Sequence, residues 1–201
     1  MCKFKSIVEH YNHLIDDHND PVHDPKSLQE YMDKWDGNVF LHELNFNKES
    51  IILEIGVGTG RLALKVLERG CKHLYGIDLS QKTINRADEN LSMFSNYQLM
   101  VGDYLKIHIE QTFDIIYSSL TFFHIEDKAA VIKKTWTLLK PTGKFVLSID
   151  KNSQKYLDYG TYKVKLFPDD YMDTYSLLKR CGFKIKSVLE TEFAYIFSAI
   201  K

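Results

Sequence analysis

From position 51 onward, short runs rich in Ile, Leu, Val, Phe and Tyr alternate with stretches whose apolar residues recur every three or four positions. The first pattern predicts buried strands and the second amphipathic helices, and their alternation predicts a mostly parallel sheet covered on both faces. Residues 51–55 form the first strand. Leu62, Leu64, Val66 and Leu67 belong to a helix that stops at Arg69-Gly70, with the glycine placed to end it. Residues 73–77 form the second strand, and Ser80 caps a helix with Ile84, Ala87 and Leu91 on one face. Residues 97–101 and 113–118 are strands three and four. A helix from about Asp127, packing through Val131, Leu138 and Leu139, ends at Lys140-Pro141-Thr142-Gly143, and residues 144–149 are strand five.

The pattern then changes. After a helix over 171–180, strands at 183–189 and 192–200 follow with almost nothing between them, and so short a connection requires an antiparallel hairpin. At the other end, Ser27-Leu28-Gln29-Glu30 has the form of a capping box, and Leu28, Tyr31, Met32 and Trp35 follow helical spacing. This helix is expected to lie across the sheet. The fold class is therefore α/β: a doubly wound, seven-stranded, mostly parallel sheet with a C-terminal antiparallel hairpin. Residues 1–47 are expected to form a helical cap or lid, in one compact unit with a ligand-binding domain at 48–201.

Composition narrows the partners. At 201 residues and 44% hydrophobic content, one core is expected. With 26 Lys and Arg against 27 Asp and Glu, the chain lacks the positive field on which nucleic-acid binding relies. Cys2, Cys71 and Cys181 fit neither a disulfide framework nor a zinc knuckle, which points to a reducing, cytoplasmic location. No leader-like apolar segment is visible, and no run approaches the roughly 18 apolar residues of a membrane span. The expectation is a soluble chain with no membrane partner. Five of the eight histidines precede Glu43, among them His10, His13, His18 and His23, but their spacings match no tetrahedral metal set, so no metal is expected.

The chemistry concentrates where strands end. Leu53-Glu54-Ile55-Gly56-Val57-Gly58-Thr59-Gly60 turns strand one into a helix, and its glycines let a ligand approach the backbone. Position 61 is Arg, so the dinucleotide G-x-G-x-x-G spacing is not met, and no G-K-[ST] is present. Asp78 closes strand two, where a carboxylate can accept both hydroxyls of a ribose. Asp103 closes strand three, where it can accept from an adenine amino group. A single acid at a strand end is usually a cap; three at successive strand ends point to a site.

These segments, LEIGVGTGRLA, YGIDLS, VGDYL, FDIIYSSLTFFHI and LLKPTGKFVLSID, together with the terminal hairpin, resemble the class I S-adenosylmethionine-dependent methyltransferases from about Lys48 to Lys201. The resemblance implies S-adenosyl-L-methionine as cofactor. It sets Glu54, Gly56, Gly58 and Gly60 near its methionine and ribose, Asp78 with neighbouring Leu79 at the ribose, and Asp103 with Tyr104 at the adenine. Ser118 and Ser119 either lie beside the methionyl group or are small residues of a tight turn.

In-line methyl transfer needs mainly a nucleophile held near the methyl group in a site that excludes water. His124, just after strand four, is either a general base titrating near 6.5 unless burial shifts it, or a residue packing against the next helix. Tyr11 is a second catalytic candidate and, with Tyr31 and Trp35, a candidate lid residue. Residues 151–168, with Tyr156, Tyr159, Tyr162 and Phe167 among Lys163 and Lys165, suggest an extra strand or hairpin at the pocket mouth or over the sheet edge. No Asn-Pro-Pro-Tyr or Asp-Pro-Pro-Tyr follows strand four, which argues against nucleic acid or glutamine as acceptor, and Ser118-Ser119 stands where metal-dependent catechol enzymes carry an acid. The acceptor is expected to be a small molecule, methylated on O, N or S. Two other readings stay open: a catalytically silent cofactor-binding regulator and, with less support, an NAD(P)-dependent oxidoreductase, which requires a later third glycine and a parallel sixth strand.

Overall fold

The computed structural model describes residues 3–201, so Cys2 lies outside the described residues. The chain begins with a short strand, β1 (Lys3–Lys5), and two helices, α1 (Ile7–Asp16) and α2 (Lys26–Met32). A third helix, α3 (Gly37–Leu44), leads into the alternating region. There β2 (Ile51–Ile55), α4 (Arg61–Arg69), β3 (His73–Asp78), α5 (Gln81–Leu91), β4 (Tyr97–Val101) and β5 (Phe113–Ser118) follow in turn. Next come a 3-10 turn at Phe122–His124, α6 (Lys128–Leu138) and β6 (Leu139–Asp150). Two short strands, β7 (Tyr156–Asp158) and β8 (Tyr162–Lys165), precede α7 (Tyr171–Arg180), β9 (Lys184–Glu190) and β10 (Ala194–Ile200).

The main sheet has seven strands in the order β4-β3-β2-β5-β6-β10-β9. Strands β2 to β6 pair in parallel, whereas β10 runs antiparallel to both β6 and β9, as the short connection between the last two strands requires. Alternate residues of the same strands feed two cores. Leu53, Ile55, Ile116 and Phe145 pack against Val131 and Ile132 of α6 and Leu178 of α7. Ile52, Ile115, Tyr117 and Val146 face the other way, against Phe40 of α3, Leu62 and Val66 of α4, and Ile84 of α5. Because Phe40 and Leu44 are fully buried, residues 37–44 belong to the packed core, and the part of the N-terminal segment that overlies the sheet edge is the part before them.

Several local expectations are corrected. Pro25, not Ser27, occupies the N-cap position of α2, without a side-chain cap. The capping box is at α1 instead, where Glu9 N donates to Ser6 Oγ at 3.2 Å and Ser6 N donates to Glu9 Oε2 at 2.8 Å. Residues 140–143, expected to separate helix from strand, bulge out of β6: Phe113 pairs with Leu139 and Ile115 already with Lys144. The hairpin expected in residues 151–168 is β7–β8, and it acquires a third strand, because β1 pairs in parallel with β8, Lys3 opposite Tyr162.

Candidate active site

Chain order runs outward from β2 to β4 and then returns to β5 on the other side of β2, so the crevice between β2 and β5 is the switch point at which open α/β sheets bind ligands. A cavity of about 610 Å³ opens there. Its floor consists of the carboxyl ends of β2, β3, β4 and β5. Its roof is α1, the 3-10 turn and the β7–β8 hairpin, which contribute Tyr11, His124 and Tyr159. Among the expected site residues, Glu54, Gly56, Gly58, Asp78, Leu79, Asp103, Tyr104, Ser119, His124 and Tyr11 all line it.

The loop after β2 is shaped by two close approaches. Gly56 has φ +77°, and a Cβ there would lie 2.1 Å from Thr121 Oγ1, so the loop beyond β5 closes the crevice against bare backbone. Gly58 has φ +56°, and a Cβ there would meet nothing within 4 Å: the space over it belongs to the cavity. Its amide donates to Asp78 Oδ2 at 3.1 Å, and Ser80 N donates to Asp78 Oδ1 at 3.0 Å. These bonds fix the carboxylate in the cavity floor. Burial pushes the Asp78 carboxyl up, against the lowering effect of the amides. Asp103, on the neighbouring strand, accepts from Leu105 N at 2.9 Å. Tyr104 offers only its ring to the cavity, since its hydroxyl lies 3.1 Å from Thr135 Oγ1 in the core.

Two expected residues are misplaced. Ser118 is fully buried and its Oγ donates to the Ile55 carbonyl at 2.9 Å, tying β5 to β2; it does not line the cavity, because strand alternation turns it inward. Gly60 is the N-cap residue of α4, facing Leu91 rather than the cavity. Of the aromatic lid candidates, Trp35 lines the cavity, while Tyr31 packs outside it on Trp35 and Phe193. Of the aromatics at 156–167, only Tyr159 does so. Asn12 accepts from Ser80 Oγ at 2.8 Å and Asn90 donates to Asp20 at 3.1 Å, polar contacts that hold the N-terminal segment on α5.

Beneath the loop after β2 is a charged cluster that no local pattern announced. Arg61, in the first turn of α4, donates Nη1 to Asp36 Oδ1 at 3.1 Å and Nη2 to Asp36 Oδ2. Asp36 also accepts from Ser119 Oγ at 2.8 Å and is 1% exposed. Glu54 accepts from Tyr117 Oη at 2.7 Å, and burial pushes its carboxyl up to about 8, so it is protonated at neutral pH.

On the roof, Tyr11 Oη lies 3.0 Å from His124 Nε2. Burial, helped by His10 and Lys128, pushes the His124 imidazolium down to about 3, so the ring is neutral and does not titrate near 6.5. The same burial raises the Tyr11 phenol. His10 sits behind them, its Nδ1 3.1 Å from Tyr162 Oη, and His13 pairs with Asp17; no group of three or more His, Cys, Asp or Glu side chains among the described residues is arranged to hold a metal ion. Cys71 and Cys181 are free, and no helix among the described residues is long and apolar enough to cross a membrane.

Comparison with known proteins accords with this geometry. Residues 52–143 match the methyltransferase domain family. Over 156 residues the chain is 28% identical to phosphoethanolamine N-methyltransferase of Plasmodium falciparum, covering 72% of this chain and 57% of that protein. Over 101 residues it is 39% identical to an uncharacterised methyltransferase of Geobacillus kaustophilus, covering 49% of this chain and 46% of that one. The chain thus spans about half the length of these curated relatives. Among solved structures, an N-methyltransferase of Bradyrhizobium japonicum in complex with S-adenosylhomocysteine superposes with TM-score 0.75 at 17% identity, covering 96% of this chain and 97% of that one. Magnesium protoporphyrin IX methyltransferase of Synechocystis with bound S-adenosylmethionine gives 0.75 at 17%, covering 97% and 95%. Residues 52–143 thus carry the match to the methyltransferase domain family, and the chain is built on the fold of the class I S-adenosylmethionine-dependent methyltransferases.

Proposed function

We propose that this chain transfers a methyl group from S-adenosyl-L-methionine to a small molecule, with the cofactor along the edge of β2, β3 and β4 and the acceptor under α1. The observation that carries this reading is the convergence of Gly58, Asp78 and Asp103 on one cavity, at the ends of three neighbouring parallel strands. The residues fit the cofactor. The open space over Gly58 is a cradle that any side chain would fill, and Asp78, already aimed by two amides, presents a carboxylate to a ribose diol. Asp103 stands one strand further, placed for an adenine amino group, with the Tyr104 ring beneath and Leu79 at the rim. The Glu54 and Arg61–Asp36 cluster faces the methionine end.

When bound, the cofactor supplies an activated methyl group on a sulfonium. The chain's own residues then have to hold a nucleophile in line and keep water out. Tyr11 and His124 do the first: the phenol hydroxyl is directed by a neutral imidazole, so it can bond the acceptor's N–H or O–H and share its proton with Nε2. The roof of α1 and the β7–β8 hairpin does the second, which gives residues before Gly37 the role of a cover.

Calorimetric titration of the full chain with S-adenosylhomocysteine and, separately, NADH tests the cofactor assignment. Binding of the first and not the second is expected; the reverse refutes the proposal. Release of S-adenosylhomocysteine in the presence of a metabolite panel then distinguishes an enzyme from a silent binder.

A further inference from the structure

With the strand-end residues assigned to the cofactor, the other half of the cavity has a chemistry of its own. Its wall is apolar: Ile7 and Leu14 of α1, Phe123 of the 3-10 turn and Leu157 of β7. Its polar groups include the hydroxyls of Tyr11 and Tyr159, the His10 and His124 rings and the Asn19 amide, none of them a fixed cation. Among the described residues no lysine lines any part of the cavity, and the one arginine that does, Arg61, has its guanidinium engaged on both sides by Asp36. The imidazoles do not supply the missing cation, because burial holds His124 down to about 3 and His10 down to about 4. Away from the strand ends, the charged side chain in the wall is Asp24, which is negative.

A phosphate monoester carries close to two negative charges, and sites that bind one present arginine, lysine or a nest of amides. In this half of the cavity it would be desolvated without a cationic partner. A carboxylate meets the same obstacle. An aromatic body, in contrast, finds an apolar slot bordered by aromatic edges, with hydroxyls at one end to orient a single polar group.

We propose that the acceptor is an uncharged aromatic amine or phenol without phosphate or carboxylate, an inference that rests on the methyltransferase reading above. Its ring lies between Phe123, Leu157 and Tyr159, and its nitrogen or oxygen meets Tyr11. The acceptor's lone pair forms the bond to the methyl carbon as the carbon–sulfur bond breaks, leaving its electron pair on sulfur. The acceptor's proton passes to the Tyr11–His124 pair and on to solvent. This separates the chain from its phosphoethanolamine-methylating relatives by charge, at the position where the acceptor is held.

The test is calorimetry on the full chain saturated with S-adenosylhomocysteine, titrated with 1-naphthylamine, 1-naphthol and phosphoethanolamine. At least one aromatic probe is expected to bind tenfold or more tighter than phosphoethanolamine, and Leu157→Arg, which places a cation in the slot, to shift that ratio at least tenfold toward the phosphate. Tighter binding of phosphoethanolamine to the natural chain, or no measurable binding of either aromatic probe, overturns the acceptor inference alone. Failure to bind S-adenosylhomocysteine in the first place overturns the methyltransferase reading, and the acceptor inference with it.

Discussion

Replacing Asp36 by alanine strikes the charged cluster at its centre. The carboxylate accepts both guanidinium nitrogens of Arg61 and the Ser119 hydroxyl, and its side chain is fully buried while that of Arg61 is 12% exposed. Removing it strands a cation that water barely reaches, and breaking a buried pair from one side costs about 3–5 kcal/mol. At roughly 2–4 °C per kcal/mol for a domain of this size, Tm should fall by about 6–20 °C. The reverse change, Asp36→Leu combined with Arg61→Met, removes both charges and should recover most of that loss, since well-packed apolar replacements of buried pairs are often neutral. Urea and thermal unfolding of the two variants beside the natural chain measure both numbers. A loss below about 1 kcal/mol in Asp36→Ala would show that solvent reaches Arg61 and that the pair behaves as a surface ion pair.

Asp78→Ala should weaken S-adenosylhomocysteine binding at least tenfold, since one charge-assisted hydrogen bond is worth about 1.5–3 kcal/mol; calorimetry showing less than a twofold change would reduce Asp78 to a loop fastener. Gly58→Ala should lose cofactor affinity with only the backbone strain of φ +56°, whereas Gly56→Ala should lose more stability because its Cβ also meets Thr121; thermal shift with and without S-adenosylhomocysteine separates the two. His124→Ala should lower turnover by roughly 10²–10⁴ with cofactor affinity kept, and Tyr11→Phe should act in the same direction, while proportionate loss of binding, turnover and Tm in His124→Ala would mark a packing role. His124 also carries a pH dependence: its folded value of about 3 lies below the ordinary 6.5, so its neutral form stabilises the fold above pH 6.5 and that stabilisation is lost as pH falls toward 3. Between pH 7 and 5 the natural chain should lose about 2 kcal/mol more than His124→Gln, at 1.36 kcal/mol per unit; Glu54, protonated when folded, acts in the opposite sense and cancels in the comparison. Equal losses would mean that the ring is solvated.

What sequence reasoning reaches here follows the range of the interactions. The β2–loop–α4 unit, the Ser80 cap and the β9–β10 hairpin are written within a few residues of one another, and the strand-end acids follow from strand ends alone. The Ser6–Glu9 capping box is equally local, while Ser27, which has the same local form, yields the cap position to Pro25. α3, introduced by Asp36, buries Phe40, Leu41 and Leu44 on one face, a helical spacing that the sequence does carry. Ser118 ends β5 where the sequence places that end, but alternation along the strand turns its side chain into the core, and the next residue, Ser119, is the one that meets the cavity. Asp36 with Arg61 and Tyr11 with His124 join residues from distant elements, and nothing near either partner announces the other. Lys3 with Tyr162 is the extreme case.

That last pairing orders the folding of the molecule. β1 is made before the other described elements, but its partner strand is complete only when Lys165 has been made. Closing so long a loop is slow, and contacts of this range form after the local ones. The βα units can collapse around β2 while the N-terminus is still unpaired, so the small sheet and the α1 roof should dock as a final step. The same unit should open first in the native protein, with its amides exchanging as a group by sub-global opening while those of β2 and β5 await global unfolding. A crevice covered by the element of longest contact range should thus be the part of the fold most readily uncovered, and a ligand bound in it should slow amide exchange of the β1–β8 unit.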